Sequence, residues 1–184
     1  MSDSSFSKTV TYICTHNQDG AMGIIINRHS NITVANLFAQ INLETESLHL
    51  LSKLVHYGGP VQTERGFILH TILPDAQHEF NATVIINNEV ALTTSKDILE
   101  ILANNNGNPN NQPAKTLIAL GYAGWTAGQL EAEMAQNAWL SLKTSLIEET
   151  HALIFDAPCA HKFELAMGMM GLNLSNLSQQ AGHA

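Results

Sequence analysis

Cys14 and His16 stand two residues apart at the end of the alternating segment KTVTYIC (8 to 14). A thiol beside an imidazole is the pairing that produces a nucleophilic or redox-responsive thiolate. Residues i and i+2 of a strand share a face, so the two side chains are able to meet. The same cysteine suits plain packing, because free cysteine is among the most buried residue types and an activated thiol needs an exposed, electropositive setting. Cys159, next to Pro158 at an expected helix start, is a weaker second thiol.

A second concentration of chemistry lies in LGYAGWTAGQLEAEMAQNAW (120 to 139), which holds three glycines and both tryptophans. A buried strand ending in glycine, then a glycine-containing turn, then a helix start, presents free backbone N–H groups to an anion, and ligands gather at the carboxyl ends of strands in open α/β sheets. The candidate binding residues are therefore Gly121, Tyr122, Gly124, Trp125, Thr126 and Gln129, with Gly58, Gly59, Arg65, Thr94 and Ser95 in neighbouring segments. The spacing Gly121, Gly124, Gly128 is neither a dinucleotide fingerprint nor a P-loop, and no lysine follows it. Packing explains the same residues, with glycines permitting tight turns and Trp125 and Trp139 anchoring a core. Glu131 and Glu133 read as solvated charge on the outer side of the helix.

The histidines, among them His16, His56, His70 and His151, are scattered. There is no HExxH, no i, i+4 pair on a helix and no cysteine at zinc spacing, so neither a metal site nor a cofactor is expected. No order of nucleophile, base and orienting acid names a reaction. Sixteen acidic against eight basic residues give a net charge of −8, and Arg28 and Arg65 are the only arginines. That balance opposes direct nucleic-acid binding and adhesion to anionic membranes. Two cysteines make no disulfide framework, no apolar run reaches the roughly 20 residues that span a bilayer, and the N-terminus lacks a signal-peptide pattern. A reduced, cytoplasmic protein is the expectation, with a small anionic ligand or a protein as partner.

These residues need elements to hold them. KTVTYIC reads as a strand covered on one face, and MGIIINR (22 to 28) as one buried on both, with a turn over HNQDGA between them. Val34, Leu37, Phe38 and Ile41 mark a helix capped by Thr33. GFILHTI (66 to 72) alternates, and TVIINNEVALTT (83 to 94) reads as a hairpin turning at Asn87-Asn88. Thr94 with Asp97 has capping-box spacing before a helix over 95 to 103 that buries Ile98, Ile101 and Leu102. KTLIALG (115 to 121) is a further buried strand. Thr126 with Gln129 suggests a second capping box and a helix from Ala127 burying Leu130 and Met134. AWLSL and HALIF look like strands, and Phe163, Ala166, Met167 and Met170 form a helical stripe ended by Gly171. The polar stretch 104 to 113 is a loop. Strands and helices intermixed give an α/β class with some antiparallel hairpin structure.

Taken together and in order, YICTHNQDGAMGIIINR, YGGPVQTERGFILH, ALTTSKDILE and LIALGYAGWTAGQLEAEMAQNAWL resemble the YqgE/AlgH family of bacterial proteins, and the tail GLNLSNLSQQAGHA resembles its proteobacterial form. The resemblance spans essentially the whole chain. It implies one α/β domain over 1 to 184, a mixed sheet flanked by helices in three layers, with a smaller antiparallel subregion over about 55 to 94. It brings no agreed activity; one branch carries the label of a regulator of alginate synthesis. Family members usually open with an extra apolar strand ending in Met-Pro, whereas this sequence starts near the segment that follows it, and the usual Arg-Trp pair near the last helix is Lys162-Phe163. Three functions follow as expectations: a regulatory or ligand-binding protein, a redox or catalytic protein using Cys14 and His16, and a transcriptional regulator acting directly or indirectly.

Overall fold

The computed structural model describes residues 6–72, 80–104, 112–144 and 146–172. The expected loop over 104 to 113 lies mostly outside them, as does the tail beyond Leu172. The isoleucine run forms β2 (Gly20–Ile25), and Ile24, Ile25 and Ile26 are all but fully buried. It turns back on β1 (Thr11–Asn17) as an antiparallel hairpin, Asn17 opposite Gly20. The turn is the Asx type its residues suggest, the Asp19 N–H donating to Asn17 Oδ1 at 2.8 Å.

After a short β3 (His29–Thr33), Thr33 caps α1 (Val34–Gln40) in a full capping box with Asn36. A single turn, α2 (Leu48–Leu51), leads to β4 (Leu54–Tyr57), which pairs with β3. The long β5 (Val61–Thr71), the hairpin β6 (Thr83–Ile85) and β7 (Val90–Thr93), and α3 (Asp97–Ala103) follow. The hairpin turns where expected, with Asn87 Oδ1 accepting from the Glu89 and Val90 N–H groups. Next come β8 (Thr116–Thr126) and α4 (Gln129–Ala135). The chain then runs through α5 (Ile147–His151), a π turn (Ala152–Asp156), a 3₁₀ turn (Cys159–His161) and α6 (Lys162–Met169).

Among the described residues the sheet runs β1-β2-β8-β5-β7-β6, with β4 also lying on β8 and β3 on β4. Only the β4–β8 pair is parallel, so the sheet is mixed but mainly antiparallel. Successive residues point to opposite faces. Ile68 and Ile118 join Val34, Phe38, Ile98 and Leu102 in a core beneath α1 to α3. Phe67, Leu69, Leu117 and Ala119 join Leu153, Ile154 and Ala166 under the C-terminal helices. That is the helix–sheet–helix layering expected of the class.

Several local expectations give way. GFILHTI does not alternate in burial, since Phe67 to Thr71 are all buried between two helical layers. Thr94 caps nothing; its N–H donates to Ala82 O, while Ser95 Oγ donates to Asp97, so α3 starts later without a side-chain cap. Met134 is 38% exposed, unlike Leu130. AWLSL is irregular: α4 ends in a Schellman-like turn in which Ala138 N–H donates to Glu133 O and Asn137 takes φ +56°. HALIF is helical. A short apolar run cannot distinguish strand from helix by periodicity, and here Glu148 and Glu149 favour a helix start just before it.

Candidate functional site

The glycine-tryptophan segment proves to be strand rather than turn. β8 continues through Thr126, and Ala123 to Thr126 pair with Gly20 to Gly23 of β2. The expected anion-binding turn over 121 to 129 is therefore strand as far as Thr126 and a turn only at Ala127 and Gly128, because β2 supplies a pairing partner that the local sequence does not reveal. Gly121, at φ +73°, sits where β8 changes neighbour from β4 to β2. A Cβ there would stand 2.4 Å from the Gly59 carbonyl oxygen. One on Gly58 would meet the Gly121 oxygen at 2.2 Å, and one on Gly59 the Tyr122 backbone at 2.1 Å. The fold does bring Gly58, Gly59, Gly121 and Tyr122 together, as a close approach of two backbones. Gly124 leaves room for the Tyr122 ring, which a Cβ would touch at 3.0 Å.

Both tryptophans converge on one carboxylate. Trp125 Nε1 and Trp139 Nε1 donate to Glu133 Oε2 at 3.0 and 2.8 Å, and their rings meet edge to face with centroids 5.6 Å apart. Gln129 Nε2 donates to the other oxygen, Oε1, at 2.9 Å, while Gln129 Oε1 accepts from Thr126 N–H and Oγ1. The second capping box is thus half made: the glutamine reaches back, but Gly128 at φ +73° precedes the helix. Glu133 is no solvated charge. Burial pushes its carboxyl up, but the bonds from Gln129, Trp139 and Trp125 outweigh that and hold it below its ordinary value. Two indole N–H groups in one short segment, each needing an acceptor, were the signal for it.

Cys14 lies where β1 shifts register between Ile13 and Thr15. It is 6% exposed, its Sγ is directed at the Tyr12 carbonyl, and burial pushes its thiol up to about 12. His16 Nε2 instead meets Glu131 Oε1 at 2.6 Å at the surface, so Glu131 too has a partner. A buried, protonated thiol is the inert form of cysteine.

The remaining candidates hold the scaffold. Arg65 Nη2 donates to Thr94 Oγ1 at 3.1 Å and its guanidinium lies 5.8 Å from the Phe67 centroid. Ser95 Oγ accepts from Ala82 N–H, tying the segment before β6 to α3.

A cluster that sequence spacing did not suggest forms at the β3–β4 edge. His29 and His56 are cross-strand partners with ring centroids 4.6 Å apart. The start of the 3₁₀ turn brings Cys159 to them, so that one ligating atom from each residue lies within 4.8 Å of the others. The His29 backbone beside the Cys159 sulfur favours its thiolate. His56 Nδ1 is buried with no hydrogen-bond partner. Burial first, then the charges of Lys162 and His29, push His56 down to about 3. Burial also pushes the Cys159 thiol up.

Lys162 is the fourth member, 3% exposed, its Nζ donating to Ile154 O at 2.5 Å. In a helix that carbonyl would receive the N–H of residue 158, which is a proline and has none. Lys162 replaces the missing donor, and burial lowers its ammonium to about 8. The arrangement is a neutral imidazole pair and a thiol beside an ammonium, gathered from three distant parts of the chain.

Comparison with known proteins places this architecture. The family model described as AlgH-like matches residues 1–175. A UPF0301 protein of Ralstonia pickettii (strain 12J) is 43% identical over 184 residues, all of this chain and 90% of that protein. One from Paraburkholderia phytofirmans is 42% identical over the same shares. The solution structure of the AlgH protein from Pseudomonas aeruginosa superposes with a TM-score of 0.75 at 40% identity, covering all of this chain and 90% of that one. Protein DIP2367 from Corynebacterium diphtheriae shares the fold alone, with a TM-score of 0.53 at 17% identity over 73% of this chain and 65% of its own. With a family model over nearly its whole length and relatives above 40% identity end to end, this chain belongs to the AlgH-like family.

Proposed function

We propose that this protein is a non-catalytic binding protein with a regulatory role, its ligand seated where β3, β4 and the 3₁₀ turn before α6 converge. The observation that carries this is the buried, unpartnered Nδ1 of His56, a residue that also brings a ring nitrogen within 4.8 Å of ligating atoms of His29 and Cys159. A buried acceptor without a donor costs stability, typically about 1 to 3 kcal/mol, and such a group persists where something else uses it. Elsewhere Arg65, His70, Ser95, Thr126 and Gln129 spend hydrogen bonds on the scaffold, while Thr11 Oγ1 and His151 Nε2, also buried without a partner, belong to no such cluster of ligating atoms among the described residues. The regulatory part rests on the family resemblance, one branch of which carries a regulator's label. A thiol activity at Cys14 draws no support from a thiol near 12 and an imidazole committed to Glu131.

A thermal-shift screen of reduced protein against metal ions, phosphates, carboxylates and nucleotides tests this. A ligand at a hundred times its Kd adds about 2.7 kcal/mol, roughly 5 to 10 °C in Tm for a chain of this size. The shift is expected to vanish in Cys159→Ser and His56→Gln. A flat screen, or a shift that survives both substitutions, overturns the reading.

A further inference from the structure

We infer that His29, His56 and Cys159 form a three-coordinate site for a thiophilic d¹⁰ metal ion, Zn(II) or Cu(I); this deepens the binding reading above and rests on it. Two imidazoles and a thiolate are the donor set that borderline and soft ions select over magnesium or calcium. The geometry is that of a site waiting to contract. Donors around a tetrahedral zinc stand about 3.3 to 3.5 Å apart, given bonds near 2.0 Å to nitrogen and 2.3 Å to sulfur, and here the donor atoms already lie within 4.8 Å. The β3–β4 ladder fixes the two histidines against each other, leaving Cys159 as the part that closes in.

The surroundings agree with the donor set. Metal ligation requires neutral imidazole with the proton on the other ring nitrogen, held by a carbonyl. His56 brings a ring with one buried nitrogen, Nδ1, that no protein group occupies. The His29 backbone beside the sulfur favours the thiolate form, the kind of outer influence that steadies a coordinated sulfur. Lys162 adds a charge condition. Its ammonium offsets the thiolate, so Cu(I) leaves one net positive charge and Zn(II) two. The zinc form therefore takes an anion in its open fourth position, either one from solution or a hydroxide left when a bound water loses a proton to solvent. On binding, the Cys159 S–H proton leaves to solvent as the sulfur–metal bond forms; no oxidation or reduction is involved. Occupancy would pin α6 to the sheet edge, linking the ion to the C-terminal layer.

The test uses the full chain, treated with chelator and reduced with a phosphine. Co(II) serves as the spectroscopic probe, Zn(II) is titrated against a chromophoric chelator, and Cu(I) against a Cu(I)-specific one. Expected are one equivalent of ion per chain, a thiolate-to-cobalt charge-transfer band, and loss of that band in Cys159→Ser. Affinity should fall at least about 100-fold in His56→Gln, while Cys14→Ser behaves as wild type. Direct titration of the unaltered chain guards against variants that fail to fold. Stoichiometric Zn(II) uptake with weak Cu(I) competition identifies zinc as the ion, and the reverse identifies copper. No uptake by the unaltered protein, or uptake untouched by Cys159→Ser, overturns the metal site. If no ion binds but an organic ligand from the thermal screen is lost in the same variants, the metal inference fails and the binding reading stands. If neither binds, both fail.

Discussion

Glu133 accepts from two indoles and one amide, so its removal strands three donors at once. Bonds to a charged acceptor contribute about 1.5 to 3 kcal/mol each where buried. Discounted for partial exposure, Glu133→Ala should cost about 2 kcal/mol in urea unfolding, with Glu133→Gln costing roughly half because it keeps an oxygen for the indoles. Tryptophan emission should shift in both. The same contacts set an acid limit. The folded carboxyl sits below its ordinary 4.5, as Asp97 sits below its ordinary 3.8, where burial is outweighed by bonds from Ser95, Asn81 and Ile98. The unfolded chain therefore takes up these protons first. The stability they give is present above about pH 4.5 and is lost as pH falls through the folded values. Urea midpoints measured downward from pH 6 should drop below that point, and drop less steeply in Glu133→Gln and Asp97→Asn; parallel slopes would show that these groups do not carry the effect. Cys14 gives a separate check. With its thiol near 12 and 6% exposed, it should resist iodoacetamide at pH 8 in the native protein and react on unfolding. Rapid native labelling at Cys14 would revive the thiol-centred function.

Two left-handed glycines seven residues apart in sequence separate conformational from packing demands. Gly121 and Gly128 both have φ +73°, but only Gly121 lies against another backbone, where an added Cβ would come within 2.4 Å of Gly59 O; nothing lies within 4 Å of that position on Gly128. Gly128→Ala should cost about 1 kcal/mol, the strain of a left-handed alanine, and Gly128→Asn less. Gly121→Ala adds a backbone clash and should cost upwards of about 3 kcal/mol. Calorimetric Tm values compare them directly, at about 2 to 4 °C per kcal/mol, and equal losses would remove the packing role of Gly121. The contrast also explains which elements the sequence could disclose. β2, α1, the Asn87-Asn88 hairpin and α6 are written in local signals: an unbroken apolar run, a cap, a turn pair, a stripe. β8 is so written only as far as Gly121; beyond it the glycines serve a distant neighbour, the Gly58–Gly59 backbone, and look locally like a turn. HALIF failed for a related reason, since a five-residue apolar run fits either period and only the helix-forming residues before it decide. The His29–His56–Cys159 cluster left no local mark at all. Its spacing obeys no metal motif, and strand pairing plus the turn after Pro158 assemble it. The polar needs of the two indoles, Trp125 and Trp139, would have led to Glu133.

The distribution of charge over the molecule bears on how a regulatory role could work. A net −8 with only two arginines leaves few cations for a phosphate backbone, and the fold commits several of the eight. Lys162 is buried, Lys115 pairs with Asp156 at 2.5 Å, Lys96 with Glu100 at 3.4 Å, and Arg65 holds Thr94 above Phe67. Binding to duplex DNA draws its affinity from counterions released as lysines and arginines neutralise phosphates, which gives a steep fall with salt. We expect no complex with duplex DNA by fluorescence anisotropy even at low salt, where such binding is strongest, and no rescue on adding Zn(II) or Cu(I), since one bound ion changes the net charge by at most two. Control over gene expression would then pass through a protein partner or through the availability of the bound ion. The opposite result has a clear signature: affinity falling with log[salt] at a slope of several units would mean that a basic surface assembles despite the overall charge. In that case the direct-reader function returns, and charge reversal at Arg28, Lys53 and Lys143 would locate the surface.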